Sequence, residues 1–346
     1  MRMKKLMVCL LMLAMTASLL TGCGTKETGA VGKATTAEDK ETSTSDKVFK
    51  IGVNQLVTHP ALDASYKGFV DALKDAGYED GKNIKIDFQN AQGDQSTANT
   101  IATNLVNSNN DLILAIATPS AQACANATKD IPILVTAVTD PAGAGLVASN
   151  DAPGGNVSGT SDLNPVKEQI ELLTKLVPTA KNIAILYCSS ETNSKIQADL
   201  AIETAKEYGI TATEATVANS NEIQQVVQSL AGKVDAIYTP TDNTIASGMP
   251  TVAQVANDNG IPVICGEGGM VDNGGLATYG IDYYQLGRLT GEQAVKIFKG
   301  EATTDKMAIE YLPVEECKLQ INADVATKLG ITIPEDLQAE LDKQAK

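Results

Sequence analysis

From Lys47 onward the chain alternates short β-branched runs with amphipathic segments, and this rhythm restricts the fold more than any other feature of its 346 residues. Parallel strands need crossover helices between them, so such alternation marks a parallel sheet with helices on its faces. In a first series, strands are predicted at 48–56, 83–89, 112–117 and 131–138, with helices at 60–77, 94–108 and 120–128. A turn-rich stretch at 150–155 separates these from a second series. There, helices at 165–176, 193–208, 221–230 and 243–259 alternate with strands at 182–187, 210–216, 236–239 and 262–265. A strand at 276–280 and a helix at 284–299 come next. The expected fold class is α/β, with two doubly wound parallel-sheet lobes. A folded part of about 300 residues also exceeds the usual size of one domain.

Ligands of doubly wound sheets bind beyond the carboxyl ends of the strands. The loops at those ends read QLVTHPALD (55–63), ATPS (117–120), TDP (139–141), YCSSET (187–192), TPTDNT (239–244), GEGG (266–269) and GIDY (280–283). Hydroxyls, carboxylates, amides and glycines recur there in both series. Some of these polar groups serve as helix caps, as Ser, Thr, Asp and Asn commonly do. Their convergence on one cleft predicts a binding site between the lobes.

The start of the chain has a different character. A basic Met-Arg-Met-Lys-Lys precedes an apolar run from Leu6 to Leu20, the layout of a secretory signal and too short for a comfortable membrane span. Leu20-Thr21-Gly22-Cys23 then resembles the bacterial lipobox, which implies cleavage before Cys23 and a diacylglyceryl group on its thiol. Residues 24–46 are rich in Thr, Ser, Gly, Ala, Glu and Lys, with almost no large apolar side chain, and read as a flexible tether.

A formal net charge of −15 disfavours nucleic acid and anionic lipid as partners. Of six cysteines, Cys9 falls in the signal and Cys23 in the lipobox. The remaining Cys124, Cys188, Cys265 and Cys317 are far apart without a C-x-x-C, and buried free thiols are expected rather than a disulfide. One histidine, His59, leaves no zinc site of the usual Cys/His spacing, and no metal or cofactor is expected. No nucleophile elbow, P-loop, H-E-x-x-H or EF-hand loop occurs, so no catalytic residue is assigned. Gly143-Ala-Gly145-Leu-Val-Ala148 has the G-x-G-x-x-A spacing, but Thr139-Asp-Pro separates it from its strand and Pro153-Gly154-Gly155 would end any helix almost at once. It is read as a turn-forming connection.

The strings QLVTHPALDASYKGFVDAL, LAIATPSAQA, VTAVTDPAGAGLV, PGGNVSGTSDL, YTPTDNTIASGM and YGIDYYQLGRLTGEQAVKIFKG carry a close resemblance. From about Val48 to Ile331 the chain resembles the ABC-transporter substrate-binding lipoproteins that include tryptophan- and tyrosine-binding members. The resemblance implies a type I periplasmic-binding fold with a multi-strand hinge, the chain crossing near 160–164, 280–283 and 312–316. It divides the chain into a signal peptide (1–22), a lipidated tether (23–46), lobe I (47–161 and 282–313) and lobe II (162–281 and 314–346). It further implies hinge closure on a small ligand, a permease and an ATPase as partners, and a monomer anchored outside the cytoplasm. An aromatic amino acid, tryptophan foremost, is the expected ligand. A branched-chain amino acid, a nucleoside or a sugar is the alternative, as is a sensor or an enzyme on the same fold.

For an amino acid, Thr118 and Ser120 at a helix start are expected to take the carboxylate. Asp140, Asp242, Glu267 and Asp282 are the candidates for the ammonium, Asp242 and Glu267 first, with Asp282 the one most suited to a structural role. Gln55, Thr139, Ser189, Thr241 and Asn243 are expected to orient the ligand. His59, Pro60, Leu62, Pro119 and Tyr187 are expected to wall its side chain.

Overall fold

The computed structural model describes residues 47–345. The signal peptide, Cys23 and the tether lie outside the described residues. Among the described residues two six-stranded sheets make up the fold, each mostly parallel and flanked by helices, as expected.

The first sheet is laid down by β1 (Phe49–Gln55), α1 (Pro60–Asp75), β2 (Ile84–Asn90), α2 (Gln95–Asn107), β3 (Leu112–Ile116), α3 (Thr118–Ala127), β4 (Ile133–Val138) and β5 (Val157–Ser161). Every residue of β3 and β4 is buried. That fits central parallel strands, which lose both faces to helices and so read as unbroken apolar runs.

The chain then crosses to the second sheet through α4 (Val166–Leu176), β6 (Asn182–Cys188), α5 (Thr192–Glu207), β7 (Thr211–Val217), α6 (Ile223–Leu230) and β8 (Ala236–Thr239). It continues through α7 (Asn243–Ser247), α8 (Met249–Asp258), β9 (Val263–Cys265), α9 (Gly268–Asp272) and β10 (Ala277–Gly280). The single helix expected over 243–259 is thus two. Pro250, in the first turn of α8, has no N–H to give and its ring would crowd the preceding turn, so the chain restarts at Gly248.

A second crossing leads into α10 (Tyr283–Phe298) and β11 (Glu310–Tyr311), which joins the first sheet beside β5. A third leads to β12 (Lys318–Ile321), antiparallel to β10 at the edge of the second sheet, and on to α11 (Ala323–Leu329) and α12 (Glu335–Gln344). The sheet orders are β11-β5-β4-β3-β1-β2 and β12-β10-β9-β8-β6-β7. The Gly143 segment is a turn, as expected. Cys124, Cys188, Cys265 and Cys317 are all free thiols, the first three buried.

Helix α10 is bound to the first sheet by an unusually close approach to α1. A Cβ built on Gly68 would stand 2.0 Å from the Tyr284 carbonyl oxygen, and one on Gly287 would stand 1.9 Å from that of Ser65. Only glycine lets the two backbones come so near. Around this contact Phe69, Leu73, Leu286 and Ala294 are buried with Ile51, Val53 and Leu114 of the sheet, each large side chain contributing about 1.5–3 kcal/mol. Gly287→Ala is expected to lower unfolding stability by about 1–3 kcal/mol through overpacking, read as a reduced urea midpoint. Gly155→Ala, where an added Cβ meets nothing within 4 Å, is expected to change it by about 0.5 kcal/mol or less.

Candidate functional site

The carboxyl ends of the two sheets face one another, and a narrow cavity lies between them. His59, Leu62, Ala137 and Tyr283 line it from the first lobe; Thr241, Asp242, Asn243, Ala246, Glu267 and Met270 line it from the second. Asp162, on the first crossing, completes the wall. Its free volume is only about 10 Å³. A larger groove runs along the hinge past Asp282, Cys317, Lys318 and Glu340. It is open to solvent, and none of the buried side-chain atoms without a hydrogen-bond partner belongs to a residue lining it.

Local backbone geometry shapes the floor of the cavity. The pairing of β4 with β5 shifts register between Val135 and Val138, and Ala137 inside that shift has φ +54°. Ala117, just before α3, has φ +81°. Left-handed backbone at a residue with a Cβ costs energy and is found mainly where a site requires it. Both positions fall where strands of the first sheet end at the cleft.

Hydrogen bonds of three kinds hold the lobes together. His59 Nε2 lies 3.3 Å from Asn243 Oδ1. Thr139 Oγ1 lies 3.3 Å from Thr241 Oγ1, and the Gln197 amide donates to both hydroxyls. At the hinge, the Tyr283 hydroxyl donates to Asp162 Oδ2 at 2.7 Å, and Ile281 N donates to Asn164 Oδ1 at 3.1 Å. The last two join the first crossing to the second.

Asn243 is itself held in place by Glu191, a residue that no sequence signal singles out. The buried Glu191 carboxylate accepts from the backbone N–H groups of Asn243 and Thr244, from the Asn243 and Asn193 amides and from the Thr244 hydroxyl. With its amide nitrogen committed to Glu191, Asn243 turns its oxygen toward His59.

The structure distributes the predicted residues unevenly. His59, Leu62, Thr241, Asp242, Asn243 and Glu267 reach the cavity. Pro60 stands at the lobe contact, its Cβ 3.0 Å from where a Cβ on Gly269 would be. Gln55 fastens its own loop, donating to the Val57 carbonyl and Asp63, and its Oε1 has no partner. Thr118 is buried with its hydroxyl unpartnered, Pro119 accepts from Gln95 through its carbonyl, and the Ser120 hydroxyl donates to Asn54.

Tyr187 is a correction. In β6 its side chain shares the face of Ile183 and Ile185, packed in the α4–α5 layer, and its hydroxyl donates to Glu214, away from the cavity. Ser189 is exposed and donates to the Val217 carbonyl. Asp140 accepts from Asn150 at the turn beside Gly143. Asp282 caps α10, accepting from Tyr284 and Gln285 N–H. None of these lines the cavity.

Asp242 reaches the cavity, but both its oxygens are engaged within lobe II. Oδ1 accepts from Ile245 N at 2.7 Å, and Oδ2 accepts from Cys188 N and the Ser194 hydroxyl, each at 2.7 Å. Burial, with the Glu191 charge next, pushes its carboxyl up to about 8. Burial likewise pushes Glu267 up to about 7 and Asp162 up to about 6. Among the described residues no group of three or more His, Cys, Asp or Glu side chains is arranged to hold a metal ion.

A receptor whose two lobes close on a small solute is the class of protein that this fold and cleft define. The family model for ABC transporter substrate binding proteins matches residues 50–345, and the chain belongs to that family. It is 48% identical to a tyrosine-binding protein of Clostridioides difficile, over 91% of this chain and 89% of the other. A structure described as an ABC domain in complex with L-Trp, from Streptococcus pneumoniae, is 45% identical with TM-score 0.82, covering 85% of this chain and 98% of that one. The ligand-free, open structure of a substrate-binding protein with adhesive properties from Clostridium difficile is 49% identical with TM-score 0.64, covering 84% and 97%. The open protein is nearer in sequence yet farther in shape.

His59 gives the closed arrangement a readable signal. Burial lowers its pKa below the usual 6.5 and outweighs the opposing effects of Asn243, Glu191 and Asp63. A histidine whose folded-state pKa is depressed favours the arrangement that keeps it neutral, so that contribution is present above pH 6.5 and is lost as pH falls below it. As the only histidine of the chain, it gives one imidazole in an NMR titration. The midpoint is expected below 6.5, and Asn243→Ala, which removes a hydrogen bond that favours the charged ring, is expected to lower it further.

Proposed function

We propose that this protein captures an aromatic amino acid outside the cytoplasm and delivers it to the permease and ATPase of an ABC importer. In this reading the chain is a monomeric receptor without catalytic activity, held at the membrane by the lipid on Cys23. The observation that carries the choice of ligand is the match, across most of the chain, to one relative named for tyrosine and to another whose structure is described with L-Trp.

The cavity is compatible with that class. Leu62, Ala246 and Met270 offer apolar surface, and the His59 ring offers a flat face at one wall. The carboxylates and hydroxyls at the other end suit a zwitterion, whose charges need partners when buried. An aromatic side chain needs more room than the narrow cavity offers in this setting. Entry therefore requires the lobes to part, and the unbranched Met270 can rearrange as they close again.

The chain contains no tryptophan, so indole fluorescence in a mixture with L-tryptophan comes from the ligand alone. Titration calorimetry of the purified protein with L-tyrosine, L-tryptophan and L-phenylalanine is expected to give saturable heat for at least one, with the ligand recovered unaltered. No heat for any of the three, together with strong heat for a sugar or a nucleoside, would sink the reading.

A further inference from the structure

We propose that Asp162 Oδ1 and Glu267 Oε1 together form a subsite for a protonated amino group, and that this pair selects the ligands on which the lobes close. The inference rests on the amino-acid reading above and adds to it the atoms that recognise the charge.

Both residues line the cavity and both are buried, Asp162 to 4% exposure and Glu267 to 2%. Each has one oxygen fixed by a donor: Asp162 Oδ2 by the Tyr283 hydroxyl at 2.7 Å, and Glu267 Oε2 by Gly269 N at 2.5 Å. The other oxygen of each has no hydrogen-bond partner. They are also close enough for the charge on Asp162 to raise Glu267 further, beyond the effect of burial and of Asp272.

Two buried carboxyls that line one cavity, each with an oxygen left without a donor, are relieved either by a proton or by a cation lying between them. Among the described residues the protein supplies no such cation. No Lys or Arg lines the cavity, and His59 is held neutral by burial. A primary ammonium brings three donors and one positive charge. Three donors can serve more than one carboxylate oxygen.

The other acids nearby are already engaged. Asp242 is saturated by Ile245, Cys188 and Ser194, Glu191 by five donors from the start of α5 and of α7, and Asp63 accepts from Gln55. The two free carboxylates are also rigidly mounted. Asp162 is tied through Tyr283 to the second crossing, and the loop before Glu267 is pinned by Gln169, which donates to the Gly266 and Tyr279 carbonyls.

The test compares ligands on the unaltered protein and variants on one ligand. For whichever aromatic amino acid binds, its desamino acid, 3-(4-hydroxyphenyl)propanoate or indole-3-propanoate, is expected to bind at least 100-fold more weakly. The matching amine, tyramine or tryptamine, is expected to bind more tightly than that desamino acid. Asp162→Asn and Glu267→Gln, close in shape to the native residues, are each expected to weaken the amino acid at least tenfold while leaving the unliganded melting curve cooperative. A desamino acid within threefold of its amino acid would overturn the subsite without any variant having to fold. So would a folded Asp162→Asn or Glu267→Gln that keeps affinity within threefold. If no aromatic amino acid binds, mass spectrometry of co-purified solute separates the two claims. An amine of another class would overturn the aromatic reading and uphold the subsite, whereas an uncharged solute would overturn both.

Discussion

The bond from the Tyr283 hydroxyl to Asp162 joins the first chain crossing to the second, and the geometry of the cleft depends on that junction. Each sheet is complete in its own core, so the relation between the lobes is left to three short crossings and a few polar contacts. Where apolar packing fixes two bodies rigidly, hydrogen bonds at a hinge let them part and rejoin at modest cost, since each exchanges with water when broken. Asp162 sits at the point where this freedom is tightest. It is a hinge residue and a wall of the cavity together, so the solute that fills the cavity bears directly on the hinge.

Contacts across the mouth are also polar and paired: His59 with Asn243, and Thr139 with Thr241 and Gln197. None is a strong ion pair. Closure that leaned on buried apolar surface would hold without regard to content, and a receptor must report whether it is loaded. Glu191 contributes by fixing Asn243 from behind, so that one carboxylate shields the N–H groups at the start of α7 and aims the amide that meets the opposite lobe.

Much of the architecture is legible in the sequence because its signals are local. The unbroken apolar runs of β3 and β4, Pro60 at the first position of α1 and the alternation of strand with helix are readable without any tertiary knowledge. β5 is not, because Val-Ser-Gly-Thr-Ser is polar in sequence and buried only by its neighbours. β11 and β12 escape notice for being two and four residues long and defined by partners far away in the chain. In the cleft, loops at strand ends point to His59, Asn243 and Glu267. Within YCSSET, however, loop position favours Tyr187 and Ser189 over Glu191, although counting by twos along β6 already sets Tyr187 with Ile183 and Ile185 on the face that packs against helices. Asp162 carries no such signal because it lies in a crossing, and only the fold reveals that this crossing is also a wall.

The close approach of α10 to α1 has a consequence for how the molecule is made. The first lobe lacks its covering helix and its last strand until residues 283–311 are available, after the whole run of β6 to β10 has been produced. A chain that emerges from its amino end therefore presents the β1–β5 region with an uncovered apolar face for most of its emergence. The second lobe needs only β12 and the two helices after it, and those come last of all. Neither half has all its elements until the last part of the chain has been made. The glycines that let α10 nestle against α1 thus join two segments that are made far apart in the chain.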